Sequence, residues 1–241
     1  MVSRSTRRYP FIAVEGCDRV GKSTTTQAIA AYIHEAINIH PTTTEFPYTH
    51  TELGRFIYKY MSNRYPDIEL SSAVVHHLFS ANRWERHMYI IEQLKIRPTI
   101  CDRYVASGRA YTAAAGGLTL EWCKQFDVGL PQPDLTIYME CEVEKTIRRR
   151  GSGLPFFETA HLQKEVKKQY EILRQEESDW ITVDTTNKSE DEVLLELIPV
   201  IDNLLKKFRE NLPPLKFYSI PSPTQSSLFA GDKGPFAGPQ R

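Results

Sequence analysis

No stretch of this chain approaches the ~20 consecutive apolar residues that cross a bilayer, so a membrane helix is not expected. An apolar signal core is also missing from the N-terminus, where Arg4, Arg7 and Arg8 make a basic leader over residues 1–9 too short for a transit peptide. Cysteine is scarce. Cys17, Cys101, Cys123 and Cys141 lack metal-ligand spacing and read as reduced thiols, which places the protein in the cytoplasm. Net charge is absent too: 30 basic and 30 acidic side chains cancel, so no global field points to nucleic acid or to a membrane surface as partner. No internal repeat is visible. The expected partner is small, and 241 residues suit one α/β domain with a tail.

What the chain does have is Gly16-Cys17-Asp18-Arg19-Val20-Gly21-Lys22-Ser23, which fits Gly, four residues, Gly, Lys, then Ser or Thr. The apolar run Tyr9–Glu15 before it reads as a strand, and the run from Thr24 to about Asn38 as a helix. That context makes the motif a phosphate cradle. Glycines let backbone N–H groups wrap a phosphate, and the helix start adds its positive dipole end. Lys22 is expected to reach the β- and γ-phosphates, and the Ser23 hydroxyl to ligate Mg²⁺.

Further strands are expected at Thr43–Phe46, Pro98–Cys101, Leu135–Met139 and Trp180–Asp184, each apart from the next by helical periodicity. Among the helices are Thr51–Met61 with Thr51 as cap, a long one from Ser71 or Ser72 to about Lys95, Tyr104–Ala115, a short one from Leu120 to Phe126, and Glu190–Arg209 despite Pro199. Glu142–Arg150 also reads as helical. The basic run Arg148-Arg149-Arg150 beside Gly151-Ser152-Gly153 suggests a lid over residues 148–158. Beyond Asn211, a Pro-rich segment with few aliphatics suggests an unfolded tail, 211–241, after a domain spanning 10–210. Five strands alternating with helices imply an open five-stranded parallel sheet of the P-loop nucleotide-binding type, with its crevice at the strands' carboxyl ends.

A switch GTPase, an ATP-driven motor and a small-molecule kinase all use such a domain. Asn187-Lys188-Ser189 sits where a guanine-reading Asn-Lys-x-Asp would lie, but residue 190 is Glu190. A motor normally needs a longer chain. Five stretches decide for the kinase: Glu15–Thr24; Phe46-Pro47; Leu78-Phe79-Ser80-Ala81-Asn82-Arg83-Trp84-Glu85; Asp102-Arg103-Tyr104 with Ser107-Gly108; and Gly129-Leu130-Pro131-Gln132-Pro133-Asp134. In this order, from residue 10 to about 208, they resemble the thymidylate kinase family of the eukaryotic type.

The resemblance implies a nucleoside monophosphate kinase fold, transfer of the γ-phosphoryl of ATP to dTMP with Mg²⁺, and a homodimer. It assigns Asp18 to the acceptor sugar's 3′-hydroxyl, Arg19 to the transferred phosphate and Arg103 to the acceptor phosphate. Asp102 would hold Mg²⁺ through water. Phe79 would stack on thymine and Arg83 donate to a thymine carbonyl, while Tyr111, with Ser107 nearby, would exclude a 2′-hydroxyl. Phe46 would line the base-phosphate pocket, Arg150 would lie on adenine, and Phe157 would come from the lid. Two departures stand out. Thr49 occupies the place of an arginine two residues after Phe-Pro, and the lid reads Phe156-Phe157-Glu158 without the usual basic residue and Tyr. The first suggests weaker or more tolerant dTMP binding. The readings kept open beside it are a deoxynucleoside or broader pyrimidine monophosphate kinase, and an idle nucleotide-binding regulator.

Overall fold

Short runs rich in β-branched residues become five strands in the computed structural model, which describes residues 8–142, 159–177 and 179–219. They are β1 Phe11–Gly16, β2 Thr42–Glu45, β3 Thr99–Asp102, β4 Leu135–Glu140 and β5 Trp180–Asp184. All neighbours are parallel, in the order β2-β3-β1-β4-β5. Sequence predicts which strands are central. β1 and β3 are buried along their whole length, as two-sided apolar strands must be, whereas β2 and β5 expose Thr43, Glu45, Thr182 and Asp184 at the edges. The order reverses beside β1, so the carboxyl end of β1 opens into the crevice where such sheets bind ligands.

Helices α1 Lys22–Ile37, α2 Glu52–Met61, α3 Ser72–Leu94, α4 Val105–Ala115, α5 Leu120–Lys124, α6 Ala160–Glu176 and α7 Glu190–Glu210 cover the sheet. Their starts are legible: side chains of Thr51, Ser71, Thr119, Thr159 and Ser189 each accept the first-turn N–H that a helix leaves open. Ser189 and Glu192 form a reciprocal capping box. The Asn187-Lys188-Ser189 run is thus the entry to α7. That helix buries Val193, Leu197, Ile201, Leu204, Leu205 and Phe208, each worth roughly 1.5–3 kcal/mol of apolar burial. Pro199 sits inside α7 without ending it, because packing of this stripe outweighs one lost backbone bond.

Three expectations change. Residues after Asn211 do not all leave the domain: Leu212 and Tyr218 are buried, and Phe217 bridges Pro131 antiparallel. Prolines thin the aliphatic pattern there, but Leu212, Leu215 and Tyr218 supply enough apolar surface to pack. Arg8 belongs to the fold as well, since its guanidinium makes a two-pronged contact with Asp134 at 2.7 Å on each prong. Finally, the predicted helix from Leu120 shortens into α5 and a 3₁₀ turn, Gln125–Asp127. The expected helix at Glu142–Arg150 and the lid at 148–158 lie, apart from Glu142, outside the described residues, as do 1–7 and 220–241. No helix among the described residues is long and apolar enough to cross a membrane.

Candidate active site

Between the end of β1 and the start of α1 the chain folds into the predicted cradle. Gly16 has φ 144°, and a Cβ there would sit 2.4 Å from the Met139 carbonyl oxygen, so the turn excludes every other residue. Gly21 opens α1 at φ 98° and no side chain caps it. The first N–H groups of α1 are therefore available to a phosphate. Lys22 is buried, its Nζ donating to the Cys17 carbonyl at 2.5 Å. Burial, with Arg103 adding, pushes its ammonium down to about 8. The Cys17 thiol goes the other way, pushed up by burial to about 11, and is not a nucleophile at neutral pH.

The carboxyl end of β3 supplies the facing wall. Ser23 Oγ donates to Asp102 Oδ2, and Asp102 Oδ1 is buried with no hydrogen-bond partner. A hydroxyl and a carboxylate with one unused oxygen are the hard donors that suit a divalent cation also held by phosphates and water. Next in the chain, Arg103 adopts φ 63° and forms an ion pair with Asp18. Arg19 shares this left-handed backbone, also at φ 63°. Such strain in non-glycine residues concentrates where a side chain must be aimed. Burial pushes the Asp18 carboxyl up, but Arg103 and then Lys22 outweigh it and hold it below the ordinary carboxylate value.

Glu15 explains how Arg103 is held. It is the one polar side chain of β1 and is buried, and no side chain of its own caps α4. Its Oε1 accepts the backbone N–H of Tyr104 at 2.8 Å and of Ser107 at 3.3 Å. Its Oε2 accepts from the hydroxyls of Ser107 at 2.5 Å and Tyr170 at 3.0 Å. Glu15 thus caps α4 from another element and ties it to α6. The Ser107 hydroxyl is used for this tie, and Ser107 also lines the cavity. Gln163 of α6 clamps Asp18, accepting its backbone N–H and donating to its Oδ2, both at 3.0 Å.

On α3, Phe79 is half-buried and Arg83 almost fully so. Arg83 donates through Nε and Nη2 to Asp127 Oδ1, at 3.1 and 2.7 Å, and Arg109 donates to Oδ2 at 3.3 Å. Gly108 makes room for this arrangement: a Cβ there would lie 2.5 Å from Arg83 Nη1. Phe46, Tyr104 and Tyr111 complete the aromatic side, with the Arg103 guanidinium 5.5 Å from the Tyr111 ring centre. Cradle and slot share one cavity of about 1030 Å³, lined by Lys22 and Ser23 of the cradle and by Phe79 and Arg83 of the slot.

The family model described as Thymidylate kinase matches residues 14–195. The chain belongs to that family. The thymidylate kinase of Schizosaccharomyces pombe is 36% identical over 205 residues, covering 82% of this chain and 93% of that protein. The human one is 35% identical over 190 residues, covering 76% and 86%. Among solved structures, thymidylate kinase from Candida albicans superposes with a TM-score of 0.77 at 29% identity, covering 88% of this chain and 99% of that one. Thymidylate kinases transfer a phosphoryl group to dTMP, so the chain is a kinase that uses ATP.

Among the predicted positions, Asp18, Arg19, Val20, Gly21, Lys22, Ser23 and Thr24 meet Phe46, Phe79, Arg83, Asp102, Arg103, Ser107 and Tyr111 around the cavity. Arg150 and Phe157 fall outside the described residues. Sequence reasoning gave Glu15 no role and passed over Gln163, and also Thr185 and Val193, which line the cavity. A carboxylate inside an otherwise apolar strand was the signal for Glu15. Gln163 carried none, because its partner is 145 residues away.

Proposed function

We propose that this kinase phosphorylates dTMP to dTDP with Mg·ATP as donor, and that dTMP enters the slot between Phe79 and Arg103. The observation that carries the reading is one continuous cavity that joins a triphosphate cradle to an aromatic slot with arginines at its rim. Phe79 offers a face for the base and Arg83, one turn on, a donor already oriented by Asp127. Arg103 is a permanent cation at the strand end, aimed where an acceptor phosphate would lie. Asp18, kept ionised by Arg103, accepts from a sugar hydroxyl, and Tyr111 closes the space beside it.

Ser23 and Asp102 are the residues that would hold Mg²⁺. When bound, the cation neutralises charge on the donor phosphates. The chain does the rest by placement: Lys22 and the start of α1 fix the donor, Arg103 fixes the acceptor, and Arg19 waits beside the transferred group. No strong base is required. Four buried free cysteines fit a reducing, cytoplasmic setting. The family resemblance is what supports the homodimer.

The reading is tested by ADP release when thymidine, dTMP, dUMP and UMP are offered in turn. Turnover with dTMP and none with thymidine is expected; a preference for thymidine would replace dTMP by a nucleoside as acceptor. Thr49 lines the cavity where the family resemblance expects a cation. Thr49→Arg should therefore lower the KM for dTMP by about three- to tenfold, the worth of one charge-assisted contact. An unchanged KM would mean that Arg103 already satisfies the acceptor phosphate.

A further inference from the structure

The segment after α7 packs along the loop before β4, and its Tyr218 end reaches a charged network that leads to the base slot. Its backbone pairs with the loop before β4: Tyr218 N–H donates to the Leu130 carbonyl at 2.9 Å, Gly129 N–H to the Tyr218 carbonyl at 2.8 Å, and Gln132 N–H to the Lys216 carbonyl at 2.8 Å. Arg8 fastens the near end, donating to the Pro213 carbonyl at 3.0 Å. At the far end the Tyr218 ring is buried, and the Arg109 guanidinium lies 4.5 Å from its centre. Arg109 in turn binds Asp127, and Asp127 holds Arg83. Tyr218 also packs in the same apolar cluster as Phe46 and Tyr104, both of which wall the cavity.

We infer that Leu212–Tyr218 is a strap that sets acceptor-base selectivity, with Tyr218 as a positioning residue acting through Arg109 and Asp127 on Arg83. The inference rests on the reading of Phe79 and Arg83 as the base slot. A guanidinium facing an aromatic ring has its plane fixed. Arg109 so fixed can bind only one oxygen of Asp127, and the other is left to orient Arg83. Arg83 then presents a donor towards the slot, which a thymine carbonyl accepts and the exocyclic amine of cytosine does not. Tyr218 touches neither substrate and is far from the cradle in the chain of contacts. Its loss should therefore change recognition of the base and nothing at the donor end.

The test compares Tyr218→Leu and Tyr218→Phe in the full-length protein, with Arg83→Lys as reference. Tyr218→Leu keeps an apolar side chain in place, so folding is retained, but removes the ring face under Arg109. Its KM for dTMP should rise about five- to tenfold, and its preference for dTMP over dCMP should fall by a similar factor, the scale of one desolvated cation–π contact. Its kcat at saturation and KM for ATP should stay within about twofold of wild type. Tyr218→Phe, which keeps the ring, should behave as wild type. A dTMP KM unchanged in Tyr218→Leu, or one that rises together with the ATP KM, overturns the inference. If Arg83→Lys raises the dTMP KM while Tyr218→Leu does not, the strap alone falls. If Arg83→Lys also leaves dTMP kinetics intact, the base slot itself is wrongly placed.

Discussion

Lys22→Met should lower kcat by about 10³, on the scale of losing one preorganised charge that stabilises a transferring phosphoryl group. It should do so without lowering the melting temperature. Lys22 is buried, and among the described residues its amine donates to a carbonyl of its own loop. Met matches its length and carries no charge to bury. Burial has already pushed the ammonium down to about 8 from its ordinary 10.5. Because the folded protein binds that proton less tightly than the unfolded chain, the charge destabilises the fold in full below pH 8, and the penalty fades as pH rises towards 10.5. Removing the charge should therefore leave stability at pH 7 equal or higher. The same displaced titration predicts that wild-type kcat/KM for ATP declines above pH about 8, where the free enzyme loses the cation that receives the phosphates. A Lys22→Met protein that retains a tenth or more of wild-type kcat would remove the cradle from the mechanism, and one that melts early would make its role structural.

Legibility followed range. Strands, helix starts and the phosphate cradle depend on neighbours a few residues away, so Thr51 could be read as a cap and Gly16–Ser23 as a phosphate loop from spacing alone. The family motifs placed Asp18, Phe79, Arg83 and Arg103 around the same cavity. What supports those residues was hidden because it is built across the fold. Glu15 caps a helix that begins 90 residues later, Gln163 meets Asp18 over 145 residues, and Arg8 meets Asp134 over 126. Local propensity carries no information about such pairs. The segment after Asn211 misled for a related reason: proline density is the mark of an unfolded tail, yet three apolar side chains and a backbone bridge suffice when a matching edge is already there. Arg83 shows the limit most clearly. As a helix residue i+4 from Phe79 its face was readable, but the carboxylate that makes its burial possible, Asp127, was not among the residues singled out.

That carboxylate carries the second large expectation. Asp127→Asn should destabilise the protein by about 3–5 kcal/mol, since it leaves the buried Arg83 guanidinium without a counter-charge and Arg109 with only Glu177, 3.6 Å away. For a domain of this size the loss corresponds to a drop of roughly 6–20 °C in melting temperature. Arg83 and Arg109 are each nearly inaccessible to solvent, so water cannot replace the lost partner. Burial pushes the Asp127 carboxyl up, but Arg83 and then Arg109 hold it below its ordinary 3.8. A carboxylate depressed in this way contributes stability above its unfolded value and loses it as pH falls through the folded one. The gap in melting temperature between wild type and Asp127→Asn should thus be full at pH 7 and should narrow as pH falls below 3.8 towards the lowered folded value. Stability and recognition can then be separated. Replacing all three charges with apolar side chains, as Arg83→Met, Arg109→Leu and Asp127→Leu together, should restore most of the lost stability, because an apolar cluster of similar volume is as favourable as a buried ion network. It should not restore dTMP affinity, because the donor that faces the slot is gone. Recovery of both would show that the network serves the fold alone; recovery of stability with a raised dTMP KM would show that this kinase retains three buried charges for what Arg83 does in the slot.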